Sequence, residues 1–127
     1  MGMIEEYNFG FIKINGQTYN HDVQIGLDNK VKLWWRSKSH EIWKRDIEEV
    51  LDQVPEAIVI GTGEMGIAQL TEEARQEIIS KKIELIVEPT AEAVKSFNSL
   101  KKDLSALPAQ AGGGQGKKVV GLFHLTC

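Results

Sequence analysis

Apolar and polar residues alternate along the first third of the chain, a period-two pattern typical of strands that bury one face. Asn15-Gly16 interrupts the first alternating stretch. Both residues tolerate positive φ, so the pair favours a two-residue hairpin turn, and Gln17–Tyr19 is the predicted returning strand. The apolar positions that lead into the turn are Phe9, Phe11, Ile12 and Ile14.

A second hairpin is predicted directly after the first. Asp28-Asn29 supplies its turn, because Asp and Asn are common where a chain reverses. The strands on either side carry apolar residues at every second position, which predicts one buried face for each. A further short strand is expected over residues 40–43, after a turn at 37–39. The alternating apolar positions are Val23 and Ile25 before the turn, and Val31, Leu33 and Trp35 after it.

The middle of the chain changes to the 3.6-residue period of amphipathic helices. The first helix is predicted to have Asp46 as its N-cap and to stop at Pro55. The second is predicted over residues 71–82 with Thr71 as its cap, and the third opens with Thr90 as its cap. The apolar face of the first helix consists of Ile47, Val50, Leu51 and Val54.

Continuous apolar runs at residues 57–60 and 83–87 indicate strands that are buried on both faces. Because a helix separates these two strands, they are predicted to be parallel, with a right-handed crossover. The last strand is expected over residues 119–125. Hairpins followed by the order α-β-α-β-α-β predict an α/β fold whose core carries an added antiparallel β-layer.

Composition and charge narrow the class of protein. The 127 residues, 42% apolar and 26% charged, predict one soluble globular domain over residues 1–127. The start of the chain has no apolar signal segment, and no apolar run approaches the ~20 residues of a membrane span, so no membrane association is expected. The single cysteine, Cys127, excludes an internal disulfide and favours a cytoplasmic location. The connection over residues 103–116, which ends in glycines, is expected to be a flexible loop.

The sequence favours neither nucleic-acid binding nor metal binding. The net charge is −3, and the lysine pairs have no aromatic residues between them on which bases could stack. His21, His40 and His124 lie far apart without a metal-ligand spacing. On a strand, His124 and Cys127 face opposite sides, which disfavours a thiol catalyst. We therefore predict no metal and no catalytic residues.

Residues 61–66, GTGEMG, fit the G-x-G-x-x-G pattern directly after a predicted strand, and Glu88 stands where a dinucleotide-binding carboxylate is expected. The following helix, however, is predicted to begin at Thr71, and a complete dinucleotide-binding fold does not fit in this chain. We therefore expect a sharp turn and no cofactor. Since ligands settle at the carboxyl ends of strands in open α/β sheets, a small-anion site is the second interpretation. Its candidate residues are Gly61, Thr62, Gly63, Gly66, Arg36 and His124.

Trp34-Trp35-Arg36 combines residue types that concentrate at binding hot spots. On a strand, Trp34 and Trp35 point to opposite faces, so one is expected to enter the core and the other to face a second layer, a partner or a groove. The pattern leaves two interpretations open: both tryptophans cover structure, or they form a partner-binding surface.

Several short motifs occur in order along nearly the whole chain: Tyr7-x-Phe9-Gly10-x-Ile12, Trp34-Trp35-Arg36, Val59-Ile60-Gly61-Thr62-Gly63, Pro89-Thr90-x-x-Ala93-Val94, Phe97-Asn98 and His124-x-Thr126-Cys127. Together they resemble the small Mth938-type domain family. That family includes the adipogenesis-associated Mth938-domain protein of animals and an assembly factor of mitochondrial respiratory complex I. No catalytic residues are settled for it, so the resemblance implies none here.

The resemblance implies a layered α/β fold with a central mixed β-sheet, helices and an added antiparallel β-hairpin layer. It also implies that the final strand runs antiparallel to its neighbours, and that the Gly61-Thr62-Gly63 loop is a family feature without an established dinucleotide role. The connection over residues 103–116 is longer here than in most members.

The combined expectation is a non-enzymatic module that binds a protein partner or acts in assembly. Homodimerisation through a sheet edge is also open, since such edges invite pairing. The alternative is a small-molecule or anion-binding protein or enzyme that uses the 61–66 loop, and a weaker one is dinucleotide binding through GTGEMG.

Overall fold

The two strands predicted from continuous apolar runs lie side by side in a five-stranded sheet. A computed structural model describes residues 4–36, 40–101 and 118–126. In chain order, its elements are β1 (Ile4–Asn8), β2 (Phe11–Ile14), β3 (Gln17–Tyr19), β4 (Val23–Ile25), β5 (Val31–Leu33), β6 (Glu41–Ile42), α1 (Lys44–Leu51), β7 (Ala57–Thr62), β8 (Gln69–Leu70), α2 (Glu72–Ser80), β9 (Glu84–Glu88), α3 (Thr90–Lys101) and β10 (Val119–His124).

The main sheet has the order β5-β4-β10-β7-β9. Strands β7 and β9 are parallel, which confirms the predicted parallel pairing. The expectation that the last strand runs antiparallel to its neighbours is wrong: β10 is parallel to β7 and antiparallel only to β4. The cause is α3, which crosses one face of the sheet and returns the chain to the edge where β7 begins, so that β10 starts beside β7 in the same direction.

Alternate residues of the central strands point to opposite faces of the sheet, and they are buried in two separate hydrophobic cores. On one face, Ile58 and Leu122 pack with α1 and α2. On the other face, Val59 and Phe123 pack with α3 and with a three-stranded antiparallel sheet of order β1-β2-β3. The layered α/β fold with an added antiparallel layer is therefore confirmed.

The added layer contains the predicted hairpin and one strand that was not predicted. Asn15 and Gly16 have φ of 52° and 82°, and they connect β2 to β3 as expected. Strand β1 pairs with β2, although its sequence is mostly polar and only Ile4 is buried. Phe9 lies in the turn between them and is exposed rather than part of a strand.

The three helix caps have different outcomes. Thr71 caps α2 by accepting a hydrogen bond from the Ala74 N–H at 3.2 Å, as predicted. Asp46 is not the N-cap of α1, because the helix begins two residues earlier, and its carboxylate instead accepts from the Trp43 N–H at 2.7 Å. Thr90 is not the cap of α3 either, because it is the first residue of the helix and its hydroxyl binds the Gly63 N–H and the His124 carbonyl instead.

The prediction that β5 buries the face that carries Leu33 and Trp35 is wrong. Leu33 is 57% exposed and Trp35 is 77% exposed, whereas Trp34 is only 3% exposed. The reason is that β5 is an outer strand of the sheet, beyond the part that α3 covers. Val54 is also exposed, because α1 ends before it at Leu51.

Some sequence-based predictions fall outside the described residues: the turn at 37–39, the glycine-rich connection at 103–116 and Cys127. In the described part of the chain, the helices are too short and too polar for any of them to cross a bilayer.

Candidate functional site

Most of the candidate residues lie together where the parallel strands of the main sheet end. The parallel strands β7, β9 and β10 end there with Thr62, Glu88 and His124. Strand β4 runs in the opposite direction, so Asp22 lies at the same edge just before β4 begins. Strand β5 is antiparallel to β4, so Arg36, which follows β5, lies at this edge as well. We call it the carboxyl edge of the sheet.

Asp22, Arg36 and His124 form a compact ionic cluster at this edge. Asp22 Oδ2 lies 2.9 Å from Arg36 Nη2 and 2.8 Å from His124 Nδ1, and Arg36 Nη2 lies 2.8 Å from His124 Nδ1. The side chains of Arg36 and His124 are about 5% and 6% exposed. His124 Nδ1 donates to Asp22 when it is protonated and accepts from Arg36 when it is not, so either ring form is hydrogen-bonded.

Both carboxylate oxygens of Asp22 accept hydrogen bonds. Oδ2 faces the cluster, and Oδ1 accepts a hydrogen bond from the Leu125 N–H at 2.9 Å. Burial alone raises the pKa of Asp22, but the hydrogen bonds from His124, the Leu125 N–H and Arg36 outweigh burial and hold its pKa below its usual range. Asp22 is therefore ionised at neutral pH, and the cluster fastens the start of β4, the end of β5 and the end of β10 to one another.

The two neighbouring tryptophans occupy different environments. Trp34 is buried among residues of the α1–α2 core, and its Nε1–H donates to the Asp46 carbonyl at 2.9 Å. The Arg36 guanidinium lies 5.0 Å from the centre of the Trp34 ring, within cation–π range. Trp35 projects from the surface. Of the two predicted partner-binding residues, the structure leaves only Trp35 accessible to a partner.

The glycine loop after β7 is packed against α3. A Cβ at Gly61 would lie 2.8 Å from Thr90 Oγ1 and 3.1 Å from Phe123 Cδ1, so a side chain there would collide with its neighbours. The Gly63 N–H donates to Thr90 Oγ1 at 2.8 Å, and the Thr90 hydroxyl donates to the His124 carbonyl at 2.6 Å. Helix α2 begins at Glu72, after β8, and does not open at the glycines.

An open cleft of about 420 Å³ lies beside this loop, between the ends of β7 and β9, strand β8 and the start of α2. Thr62 and Gly66 line it, whereas Gly61, Gly63, Arg36 and His124 do not. This cleft therefore brings together two of the six candidate ligand-binding residues. The full lining consists of Thr62, Met65, Gly66, Ala68, Gln69, Leu70, Arg75, Val87, Glu88 and Pro89.

Strand β5 is an outer strand of the main sheet, and among the described residues no strand pairs with its outward-facing backbone groups. The Gly26 N–H donates to the Lys30 carbonyl, and the Trp34 N–H donates to the Asp22 carbonyl. In an antiparallel pair the backbone groups of successive residues point to alternate sides, so Lys30, Lys32 and Trp34 face β4. Val31 and Leu33 therefore direct their N–H and C=O groups away from the sheet. We call this row the β5 edge.

Sequence reasoning did not find Asp22 or Arg75 as parts of these sites, and it placed Thr90 at the carboxyl ends of the strands without finding the role of its hydroxyl. Asp22 and Thr90 become important only through strands and helices that are distant in sequence. The available signal was weak: Asp22 is a polar residue directly before β4, and Thr90 follows β9 after one proline.

Comparison with known proteins gives a consistent result. A family model described as a protein of unknown function, DUF498/DUF598, matches residues 4–106. Among solved structures, a conserved hypothetical protein of Pyrococcus horikoshii is similar, with 25% identity, 98% of each chain covered and a TM-score of 0.79. The protein MT938 has 25% identity, 98% coverage of each chain and a TM-score of 0.73. A Bordetella pertussis protein described as an Mth938-like domain has 16% identity, with 97% of this chain and 85% of that one covered and a TM-score of 0.68.

Proposed function

The chain belongs to the DUF498/DUF598 family of Mth938-type domains, and on that premise we propose that it binds a protein partner, which adds an extended segment to the β5 edge. The observation that carries this proposal is the exposure of Leu33 and Trp35, at 57% and 77%, on and just after an outer strand. Large apolar side chains that combine with free backbone groups in this way are suited to β-augmentation.

The backbone geometry supplies the pairing groups. Val31 and Leu33 each direct a donor and an acceptor outward, so an extended peptide can form main-chain hydrogen bonds with both. Main-chain bonds give such complexes affinity, and alternate side chains give them specificity. Leu33 and Trp35 provide apolar contacts beside the new strand, and Trp is enriched among residues that dominate binding energy.

The charge of Lys30 favours an acidic partner over a second copy. Lys30 is exposed, whereas the Lys32 amino group already pairs with Glu49 at 2.9 Å. Two β5 edges placed together would bring these lysines close to one another, and lysines on an edge strand oppose such self-pairing. The proposed partner segment therefore alternates apolar residues with Asp or Glu. The proposal keeps the cytoplasmic location that the single cysteine favours.

The test is selection from a displayed library of random short peptides, followed by affinity measurement with synthetic copies. We expect selected peptides to lack internal proline and to alternate apolar with acidic residues. Trp35→Ser is expected to weaken their binding about tenfold or more, since loss of a hot-spot contact costs about 2 kcal/mol. Ile79→Ser is the matched control, because Ile79 is a half-exposed apolar residue on α2.

A second pair of variants tests the pairing mode. Leu33→Pro removes an outward N–H that the sheet does not use, whereas Leu33→Ala removes only the side chain. We expect the proline variant to bind at least tenfold more weakly than the alanine variant, with circular dichroism unchanged. Equal binding by these two variants overturns β-augmentation. A wild-type dimer that Trp35→Ser dissociates overturns the proposal of a different partner, because a second copy would then occupy the edge.

A further inference from the structure

The cleft beside the glycine loop is separate from the β5 edge and has its own chemistry. Its volume of about 420 Å³ lies within the range of small-molecule sites. Its lining is mixed, with four apolar residues, Ala68, Leu70, Val87 and Pro89, beside polar and charged ones. It lies at the carboxyl ends of two parallel strands, which is where open α/β sheets hold their ligands.

Arg75 supplies an unneutralised positive charge to this cleft. Its side chain forms no ion pair or hydrogen bond with any described residue. The neighbouring basic residues differ, since Lys44 and Lys81 both lie close to the Glu77 carboxylate. Arg75 is also partly buried against the cleft, so its guanidinium is less hydrated than a fully exposed one.

The acidic residue of the lining does not neutralise Arg75. The Glu88 carboxylate accepts a hydrogen bond from the Ser96 hydroxyl at 2.7 Å, and Ser96 lies on α3. Helix α3 packs on the opposite face of the sheet from α2, which carries Arg75. The Thr62 hydroxyl, which also lines the cleft, donates to the Glu88 carbonyl at 3.1 Å.

We propose that this cleft binds a small organic carboxylate with an apolar body, whose carboxylate pairs with the Arg75 guanidinium. A guanidinium fork matches a carboxylate with two parallel hydrogen bonds. The apolar residues of the lining contact the rest of the molecule. A single cation in a lining that also contains Glu88 fits a monoanion better than a phosphate dianion or a diphosphate, which several donors usually hold.

Amide chemical shifts measured by NMR during titration with hexanoate test the proposal. We expect saturable shifts at Gly66, Ala68, Leu70 and Arg75, which belong to the cleft. Hexanol, which has the apolar tail without the charge, and inorganic phosphate, which has the charge without the tail, are each expected to bind at least tenfold more weakly.

Arg75→Gln is expected to weaken hexanoate binding about tenfold or more, and Arg45→Gln, which removes the same charge from α1, is expected to leave it unchanged. Trp35→Ser is also expected to leave it unchanged, so failure of the β5-edge proposal does not affect this result. Absence of saturable shifts, equal binding to Arg75→Gln, or shifts spread over the whole surface would overturn the carboxylate site.

Discussion

The Asp22 carboxylate and the His124 imidazole are 102 positions apart in the chain, and their Oδ2 and Nδ1 atoms lie 2.8 Å apart. Neither residue is near the other until β4 pairs with β10. The contact therefore forms only when β4 and β10 pair in the native register.

Asp22→Asn is expected to lower the free energy of unfolding at pH 7 by about 3 kcal/mol, because it leaves the buried Arg36 without its carboxylate. Urea unfolding followed by circular dichroism measures this loss. Asp52→Asn, at an exposed position after α1, is the control and is expected to change stability by less than about 0.5 kcal/mol. A loss at Asp22 no larger than at Asp52 would show that the cluster contributes no stability.

The same carboxyl makes stability depend on pH. Since the pKa of Asp22 is lower in the folded protein than in the unfolded chain, its contribution is complete above about pH 4 and is lost as the pH falls through the folded-state pKa. Wild-type stability is therefore expected to fall more steeply than that of Asp22→Asn below about pH 4. Parallel curves for the two proteins in that range would contradict the assignment.

Thr90→Val is expected to destabilise the protein by about 3 kcal/mol, although the two side chains have nearly the same shape. The Thr90 hydroxyl is buried and serves both the Gly63 N–H and the His124 carbonyl, and valine leaves both without a partner. Thr90→Ser keeps the hydroxyl and is expected to lose only about 1 kcal/mol. Equal losses in chemical denaturation would mean that packing of the methyl group, and not hydrogen bonding, matters at this position.

Gly61→Ala is expected to cost about 2 kcal/mol, because the added methyl group would meet the Thr90 backbone and the Phe123 ring. Gly26→Ala is the comparison, since its new methyl group meets the Gln53 and Asp28 side chains, whose ends can move. We expect a smaller loss there. Thermal unfolding of both variants tests whether Gly61 is required for packing; a loss no greater at Gly61 than at Gly26 would argue against this requirement.

Val54→Gly is expected to stabilise the protein by about 1 kcal/mol. Val54 has a φ of 55°, a left-handed conformation that a β-branched residue adopts only at a cost, and its side chain is 76% exposed. Lys82 has a φ of 60° without β-branching, so Lys82→Gly is expected to give a smaller gain. A loss of stability in Val54→Gly by urea unfolding would show that valine contributes contacts that outweigh its backbone strain.

Features that depend on neighbours in sequence were predictable. The runs at 57–60 and 83–87 form adjacent parallel strands, Asn15-Gly16 forms a turn, and Thr71 caps a helix. The prediction of burial on both faces is confirmed for β7 but is wrong for β9, which is an outer strand with partly buried residues. The other two effects, tolerance of positive φ and a short side chain that accepts a hydrogen bond, act within a few residues.

Features that depend on position within the sheet were not predictable. Leu33 and Val23 have similar alternating surroundings in sequence, and they are partners across β4 and β5, yet Val23 is buried and Leu33 is exposed. Only the strand order makes β5 an outer strand. The ionic partners of Arg36 and the role of Thr90 depend in the same way on which strands become neighbours.

The tie between Asp22 and Arg36 fixes the chain directly after β5 to the centre of the sheet. In the complex that we propose at the β5 edge, the segment that carries Trp35 is therefore already anchored at Arg36, and most of the ordering entropy of binding falls on the incoming peptide. If that proposal holds, changes that loosen this ion pair speed the release of the bound segment without altering the apolar side chains that it contacts.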